Sequence, residues 1–487
     1  MIALKGEYQP FTFSVFCREG CKKLSIELSS PIRNRDTGSE LGEDRIEIHR
    51  LKIGNASYGI QDWILNPVRD EEEIGEIQGL VRFWMTVHVP EDANPGIYEG
   101  TLTLTQKGSD SVDVPIHLNV IPQRLECPLD VQFSMLYTVS PFGQYFKPEK
   151  YELLAPQVLS FYKELRAHGM TSLSPKCSDW PYRKGNIDGL KAEIDLATKT
   201  GLKGPVLWYM SALINGAKGG KRYAHYDGKC DNWDETRDIS NLKEIITTVK
   251  AFERKKKWPE LIFITVDEPG TCTEPSILNL RMDILGKTLK TVNELGARGA
   301  TTLTELLDDR HNKQPFVAIP DELRKQWYEI RPYCPIRIYG YGYPQGITNL
   351  FAEMADSEKR GHEVWFYNNE ATMGKNRYVA RIFFGLWGWK VGARGLASWT
   401  YPGRRTVQWE VVREGIDDLK YLRLIQRLLY KKPKENTSRI MAEEFLKNVS
   451  NSVMLDENGF ILDWNKWKAF DFVSFRLDAA MMIDRLL

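Results

Sequence analysis

Two adjacent carboxylates, Asp267 and Glu268, stand where a run of apolar residues ends. The run is LIFITV, at 261–266, and Pro269 and Gly270 follow the two acids. A continuous apolar run of this kind is typical of a strand buried on both faces. Cleavage of a glycosidic bond needs one carboxylic acid to protonate the leaving oxygen and a second group to stabilise or capture the oxocarbenium-like centre. The pair can supply both groups, although Asp-Glu-Pro at a strand end is also typical of a helix cap.

Aromatic side chains occur at the ends of several predicted strands. Such side chains stack on the apolar faces of sugar rings, but they also fill protein interiors, and for any single one the core is the commoner place. Trp399 and Tyr367 are the strongest candidates for substrate contact, because each closes a predicted strand. The aromatic residues predicted to bind substrate are Trp208, Tyr209, Tyr341, Tyr343, Trp365, Tyr367 and Trp399.

The elements that position these residues begin with a β-rich N-terminal part. From residue 11 to about residue 121, short apolar runs such as FTFSVF, LSIELSS and FWMTVHVP alternate with period two and are separated by turn residues. This pattern predicts an antiparallel β-sandwich. The period changes at IPQRLECPLD, at 121–130. We therefore predict a sandwich domain over 1–124.

Beyond this boundary, predicted strands and helices alternate. Eight such repeats predict a closed parallel (β/α)8 barrel over 125–430, of the TIM type, with its site at the carboxyl ends of the strands. A helical extension over 431–487 is expected to pack on the barrel, which makes the chain a multidomain α/β plus all-β protein. The predicted strands are 131–137, 170–173, 205–209, 261–266, 299–303, 336–339, 363–367 and 395–399. The predicted helices include 151–168, 241–252, 277–295, 348–360, 378–389 and 408–429.

Several segments, taken in order, resemble glycoside hydrolase family 123 and its uncharacterised relatives over most of the chain. They are VPEDANPGIYEGTLTL, VDEPG, HEVWFYNN, RIFFGLWGWKVGARGLASWTYPG and WEVVREGIDDLKYLRLI. The resemblance implies a β-N-acetylgalactosaminidase-like enzyme that retains configuration by substrate assistance. In this mechanism the 2-acetamido oxygen of the sugar attacks the anomeric carbon, so that no protein nucleophile is needed.

Residue roles follow from this resemblance. Glu268 would be the general acid/base, and Asp267 would orient the acetamido group and stabilise it as an oxazolinium ion. Alternate residues of a strand point to opposite faces, so the resemblance also implies a backbone twist that lets the two acids converge. Arg381 falls where the family has an arginine and is therefore included among the predicted substrate-binding residues, with the holding of a carboxylate in place as the alternative. The short link at 401–409 leaves the identity of the sugar open.

Two other functions stay open at this stage. Glu268 follows the fourth predicted barrel strand and Glu370 the seventh, which is where two-glutamate retaining glycosidases place acid/base and nucleophile. The two carboxyl groups would then lie roughly 5–5.5 Å apart, and Glu370 would form a covalent intermediate. Glu370 is equally well explained as an ion-pair partner of Lys375 or Arg377. A non-catalytic carbohydrate-binding protein is the alternative from another class, and the intact acid pair counts against it.

Composition excludes several classes of function. The 66 basic and 65 acidic residues give a net charge of +1, which favours a neutral glycan or glycoside over nucleic acid or an anionic membrane as partner. The seven histidines show neither HxH nor HExxH spacing, so no metal site is predicted. Phosphate-binding glycine motifs are also lacking, so no cofactor is expected.

The compartment and the oligomeric state are not indicated. The sequence holds no run of about 18 apolar residues that could cross a bilayer, which predicts a soluble chain. Strand-like alternation begins almost at once after residue 8, and this start is compatible with export after removal of a signal peptide.

Overall fold

The computed structural model describes most of the chain. The described residues are 1–21, 24–55, 61–68, 77–106, 110–137, 140–142, 146–175, 187–210, 233–269, 275–303, 321–341, 350–373, 376–401 and 403–487.

Two sheets build the N-terminal part. One has five strands in the order β1-β9-β8-β3-β4, and the other has four in the order β2-β7-β5-β6. The strands are β1 (Ile2–Lys5), β2 (Tyr8–Cys21), β3 (Leu24–Asn34), β4 (Glu40–Leu41), β5 (Ile46–Asn55), β6 (Gln61–Pro67), β7 (Ile77–His88), β8 (Gly96–Gln106) and β9 (Val112–Arg124). Alternate residues of both sheets, among them Phe83 and Met85 of β7 and Leu102 of β8, share one hydrophobic cluster. The period of two in the sequence therefore corresponds to one buried face on each sheet.

The first strand departs from the antiparallel pattern that the sequence predicts. β1 pairs parallel with β9, with Ile2 beside Asn119. The chain then turns at Gly6, whose φ of 82° lies in the left-handed region, and continues into the other sheet. Because β1 and β2 belong to different sheets, they form no hairpin, and β1 is free to run in the same direction as β9.

A seven-stranded parallel sheet follows, in the order β10-β16-β15-β14-β13-β12-β11. Its strands are β10 (Gln132–Tyr137), β11 (Val206–Tyr209), β12 (Leu261–Asp267), β13 (Arg298–Leu303), β14 (Ile336–Gly340), β15 (Glu363–Tyr367) and β16 (Gly395–Thr400). Each coincides with a predicted strand to within a residue or two. Parallel strands in a sheet have their carboxyl ends at one edge, where a site would lie.

The strand predicted at 170–173 is not a regular strand. Only Leu173 forms an isolated bridge, with Val206. The segment still bonds to both edges of the sheet, because the Thr171 amide donates to the Phe133 carbonyl at 3.0 Å and the Leu207 amide donates to the Leu173 carbonyl at 2.8 Å. Side-chain hydroxyls replace part of the ladder, since the Phe133 amide donates to the Thr171 hydroxyl oxygen at 2.9 Å. This competition between hydroxyl and backbone groups explains why the prediction of eight regular strands was wrong here.

Helices alternate with these strands and continue to the end of the chain. They are α1 (Tyr151–Ala167), α2 (Asp188–Thr198), α3 (Glu235–Lys256), α4 (Pro275–Glu294), α5 (Asp321–Ile330), α6 (Leu350–Lys359), α7 (Glu370–Met373), α8 (Arg377–Ile382), α9 (Gly388–Val391), α10 (Val407–Leu429), α11 (Thr437–Ser452) and α12 (Phe472–Leu486). A π-helical turn, Phe383–Trp387, joins α8 to α9. None of the helices in the described ranges is long and apolar enough to span a membrane.

The parallel sheet has an inner and an outer hydrophobic face. Ile262, Ile264 and Ile338 belong to a compact inner cluster, whereas Phe263 and Phe366 belong to a much larger outer cluster that includes the helices. Consecutive residues of a buried strand point to opposite faces. A residue at a strand end can therefore be assigned to the inner or the outer face by counting from the nearest residue of either cluster.

Helices α10 and α12 connect the N-terminal strands to the rest of the molecule. Leu4 and Ile121 of these strands share a hydrophobic cluster with Ile425 of α10 and Ile483 of α12. The domain boundaries near residues 124 and 430 stay a prediction.

Candidate active site

The strand that carries the two acids is interrupted by a β-bulge. Ile264 and Val266 pair with the consecutive residues 300 and 301 of β13. Thr265 is therefore an extra residue without a partner in the ladder. An inserted residue shifts the alternation of side chains by one position, so every residue after it changes face.

This bulge turns Asp267 toward the inside of the sheet. Val266 lies in the outer cluster. Asp267 pairs with Thr302, which is two residues beyond Ala300 of the inner cluster and so shares its face. Strict alternation from Ile264 would have placed Asp267 on the outer side.

Glu268 reaches the same side through an unusual backbone conformation. Its φ is 46°, in the left-handed region that non-glycine residues seldom occupy. Its amide donates a hydrogen bond to the Thr302 hydroxyl oxygen at 2.9 Å. The bulge and this turn together form the backbone twist that the resemblance implied. Strain of this kind is concentrated at functional sites, which makes the strand end a candidate site.

Each acid has a hydroxyl partner from a neighbouring strand. The Thr302 hydroxyl donates to Oδ1 of Asp267. The Tyr367 hydroxyl, at the end of β15, donates to Oε1 of Glu268 at 2.5 Å. Burial raises the pKa of Asp267 to about 6, and the hydrogen bond from Thr302 offsets part of this effect. A carboxylate perturbed in this way at a strand end is typical of catalytic sites.

Four of the predicted aromatic residues face the inner side of the sheet. Tyr367 and Trp365 belong to the inner cluster, and Tyr209 packs against it. Trp399 is half-buried and lies two residues beyond Ala397 of that cluster. Trp365 is fully buried and donates through Nε1 to Glu363 at 2.9 Å, at the amino end of β15. Trp365 therefore lies deep on the inner face, away from the acids. Tyr367 and Trp399 lie at the carboxyl ends of their strands, where the acids are.

The structure does not bring Trp208 and Tyr341 to the acids. Trp208 lies in the outer cluster, with its ring 6.0 Å from that of Phe263. Tyr341 belongs to the same cluster, and its hydroxyl accepts a hydrogen bond from the Ile461 amide at 3.2 Å. The expectation that these two aromatics line the site fails because each lies on the outer face, under the helices. Tyr343 lies outside the described residues.

Arg381 belongs to the helical layer rather than to the strand end. Its Nε donates to Asp418 of α10 at 2.6 Å and its Nη2 donates to the same carboxylate at 3.1 Å. The guanidinium also lies 4.3 Å from the centre of the Phe472 ring. Arg381 therefore holds a carboxylate in place, as its alternative role implied, and this carboxylate connects helices and is not one of the two acids. Substrate binding by Arg381 stays a prediction.

Glu370 is exposed at the first position of α7. Its amide donates to Oδ1 of Asn368 at 2.9 Å. Of the two predicted ion-pair partners, Arg377 lies 3.5 Å from Asp62 instead, and Lys375 falls outside the described residues. An exposed carboxylate of this kind lacks the enclosure that surrounds Asp267.

Sequence reasoning missed Thr302. The signal that could have found it is the strand GATTL at 299–303, which is the next strand after the acid-bearing one and contains two consecutive threonines. Which of the two faces inward depends on the bulge in β12, which no sequence pattern reveals. Among the described residues, no group of histidine, cysteine or acidic side chains is arranged to hold a metal ion.

Comparison with known proteins supports the fold assignment. Neither a protein-family profile nor a curated protein sequence matches the chain. A family 123 glycoside hydrolase from Clostridium perfringens, solved to explain glycolipid glycan hydrolysis, superposes with a TM-score of 0.66. The match covers 99% of this chain and 93% of that chain at 13% sequence identity. The chain therefore has the fold of a family 123 glycoside hydrolase, which confirms the resemblance at the level of the fold.

Two other glycosidase-type structures match less well. A GH5 xyloglucanase from Bacteroides ovatus has a TM-score of 0.29 and 9% identity, over 86% of this chain and 97% of that chain. A GH5 subfamily 18 protein from Streptomyces cattleya, in complex with GlcNAc, has a TM-score of 0.37 and 14% identity, over 59% of this chain and 80% of that chain. Similarity at this level supports no argument about the fold.

Proposed function

We propose that the protein is a glycoside hydrolase that cleaves a 2-acetamido sugar, such as a β-N-acetylgalactosaminide, by substrate-assisted hydrolysis with retention of configuration. The observation that carries the proposal is the pair of adjacent acids, which the bulge and the left-handed turn bring to one side of the sheet. The shared fold with a family 123 glycoside hydrolase supports it. The partner is a glycan or glycoside.

Glu268 acts as the general acid and then as the general base. In the first step it gives its proton to the glycosidic oxygen while the acetamido oxygen of the sugar attacks the anomeric carbon. In the second step it takes a proton from the water that opens the oxazolinium ion, which restores the starting state. The hydrogen bond from Tyr367 holds the carboxyl group in one orientation for both steps.

Asp267 supports the group that becomes positively charged. Asp267 is half-buried, and a carboxylate in such a place interacts more strongly with a developing cation than an exposed one, because less water screens the interaction. With its pKa raised to about 6, Asp267 is mostly ionised at neutral pH and can accept a hydrogen bond from the acetamido nitrogen. Adjacent carboxylates suit this division, since the acetamido group and the glycosidic oxygen are attached to neighbouring carbons of the sugar.

A panel of aryl glycosides tests the reaction. Substrates with a 2-acetamido group should be hydrolysed, and the matching galactoside and glucoside with a 2-hydroxyl should not, because the hydroxyl cannot form an oxazolinium ion. Equal rates on both series would contradict substrate assistance. Binding of the acetamido sugars without turnover would instead favour the non-catalytic carbohydrate-binding alternative.

The two-glutamate alternative is tested at Glu370. Under substrate assistance Glu370→Ala should keep appreciable activity, because no bond forms to this side chain. If Glu370 were the nucleophile, the same change would reduce turnover by several orders of magnitude. Azide would then restore a product of inverted configuration, since a small anion can enter the space left by the nucleophile. Azide acting on Glu268→Ala, with retained configuration, would support the acid/base role of Glu268 under either mechanism, so the Glu370→Ala variant is the one that distinguishes them.

A further inference from the structure

We propose that Thr302 is a positioning residue that orients Asp267 and Glu268 together through one hydroxyl group. The inference rests on the proposed function, because it concerns the same two acids. It adds a residue from a different strand that does not itself touch the reacting atoms.

The Thr302 hydroxyl donates one hydrogen bond and accepts another in this place. A threonine hydroxyl has one proton to donate and lone pairs with which to accept. The proton is directed to Oδ1 of Asp267, and the oxygen accepts the Glu268 amide at 2.9 Å. Thr302 is only 2% exposed, so water does not compete readily for either bond. The two bonds join Asp267, the last residue of β12, and the following residue, Glu268, to one oxygen atom of β13.

The two hydrogen bonds of Thr302 have different effects, one on the backbone at Glu268 and one on the carboxyl group of Asp267. Because of the left-handed turn, the Glu268 amide cannot continue the hydrogen-bond ladder between β12 and β13. It donates instead to the Thr302 hydroxyl oxygen. The half-buried carboxylate of Asp267 needs a donor that favours its charged form, and the Thr302 proton supplies one. The methyl group of threonine restricts its χ1 angle on a strand, which keeps the hydroxyl aimed at both partners.

Valine is the matched replacement for Thr302, because it keeps the shape and removes both hydrogen bonds. Thr302→Val should lower kcat about 100-fold, as expected for a small misplacement of catalytic groups. Thr302→Ser keeps the hydroxyl and should restore most of the activity. These rates are measured on the acetamido aryl glycoside.

The pH profile distinguishes positioning from a general loss of structure. The bond from Thr302 lowers the pKa of Asp267, so its removal should raise that pKa and move the acidic limb of kcat/KM to higher pH by about one unit. The other titratable groups that face this end of the sheet in the described ranges are Glu268 itself, Tyr367 of β15 and Tyr209 of β11. None of them is changed in the variant.

Thr301→Val is the control on the same strand. The Thr301 hydroxyl is also buried, but it donates to the Val266 carbonyl at 2.8 Å. This substitution should cost stability without moving the acidic limb. An acidic limb that stays in place in Thr302→Val, or that moves equally in Thr301→Val, would overturn the proposal.

Two measurements do not depend on enzymatic activity. The Asp267 carboxyl carbon can be titrated by NMR in wild type and in Thr302→Val, with Asp267→Asn for assignment. Hydrogen exchange of the Glu268 amide in the wild type should be slow, and fast exchange would contradict the bond without any variant. A protein that hydrolyses no glycoside but shows the shifted titration would refute the proposed function alone. A glycosidase with an unchanged titration would refute the role of Thr302 alone.

Discussion

Asp267 and Glu268 differ in what surrounds each carboxyl group. Asp267 is half-buried and accepts a hydrogen bond from an uncharged hydroxyl, and desolvation raises its pKa to about 6. Glu268 accepts a hydrogen bond from the phenol of Tyr367, 99 residues further along the chain. Different surroundings of two neighbouring acids are what a division into electrostatic support and proton transfer requires.

Substitution of each acid by its amide should separate the two roles. Glu268→Gln should lose rate mainly on substrates with poor leaving groups, because proton donation contributes about 10²–10⁴-fold and an activated aryl group needs less of it. Asp267→Asn should lose rate on every substrate, because each must form the oxazolinium ion. The measurement is kcat/KM across a leaving-group series.

Melting temperature provides the control for these two amide variants, because it separates a loss of activity from a loss of folding. Burial penalises the charged form of Asp267, so the wild type loses stability as the pH rises through about 6. Asp267→Asn should therefore melt no lower than the wild type at neutral pH, even though it is less active. Equal rate losses for both amide variants across the series would contradict the proposed roles.

At the scale of elements, the bulge in β12 decides which way the acids point. Thr265 is the extra residue, and its hydroxyl oxygen accepts a hydrogen bond from Thr288 of α4 at 2.9 Å. The bulged residue is therefore held on the outer side by a helix, while Asp267 comes to lie on the inner side. Bulges next to active sites often re-aim a side chain in this manner.

Deletion of Thr265 should keep Asp267 on the inner side. With the extra residue removed, regular alternation from Ile264 places Val266 outward and Asp267 inward, and their pairing with residues 301 and 302 is preserved. The deletion variant should therefore keep measurable turnover of the acetamido aryl glycoside. Thr265→Ala is the matched control, because it keeps the residue count and loses only the hydrogen bond to α4, and it should retain activity with a modest loss of melting temperature. A deletion variant with wild-type circular dichroism but without turnover would show that facing alone does not position the acids.

At the scale of the whole molecule, a buried polar cluster connects the N-terminal strands to the C-terminal helices. The Glu7 carboxylate accepts hydrogen bonds from Arg476 of α12 and Tyr421 of α10, both at 2.7 Å, and from the Leu4 amide at 2.8 Å. Arg476 in turn donates to Asp418 of α10 through Nε at 2.9 Å. Removing one partner of such a cluster leaves other buried charges unpaired, so it acts as a single unit.

This cluster makes stability depend on pH. Burial raises the pKa of Glu7 to about 7, against the opposing effect of Arg476. A carboxyl group that binds its proton more tightly in the folded state stabilises the fold at low pH, and this contribution is lost as the pH rises through about 7. Between about pH 5 and pH 8 the free energy of unfolding should fall by about 2 kcal/mol on account of Glu7. Glu7→Gln should remove this part of the decline.

Denaturant unfolding at several pH values measures the effect. Glu27→Gln, at an exposed position of β3, is the control and should follow the wild type throughout. A decline with pH that is unchanged in Glu7→Gln would show that other groups cause it.

Much of the fold was determined by local sequence patterns. Apolar runs such as LIFITV and EVWFY predicted the strands of the parallel sheet in their correct places, because a strand buried on both faces must be apolar throughout. The same run marked Asp267 and Glu268 as a strand-end pair. Helix α10 was likewise predicted to within a residue of its observed bounds, 407–429.

The tertiary structure decided which side chains meet. A fully apolar strand carries no signal of which face is inner, so Trp208 and Tyr209 could not be told apart by sequence, and only Tyr209 faces inward. The bulge at Thr265 and the hydroxyl of Thr302 depend on the register between β12 and β13, which are separate segments of the chain. Sequence patterns indicate which segments are buried. The register between two strands, and the face on which each side chain lies, are fixed only when segments distant in the chain pair with each other. That is why the position of the two acids at a strand end was predictable from the sequence, whereas their hydrogen bonds to Thr302 were not.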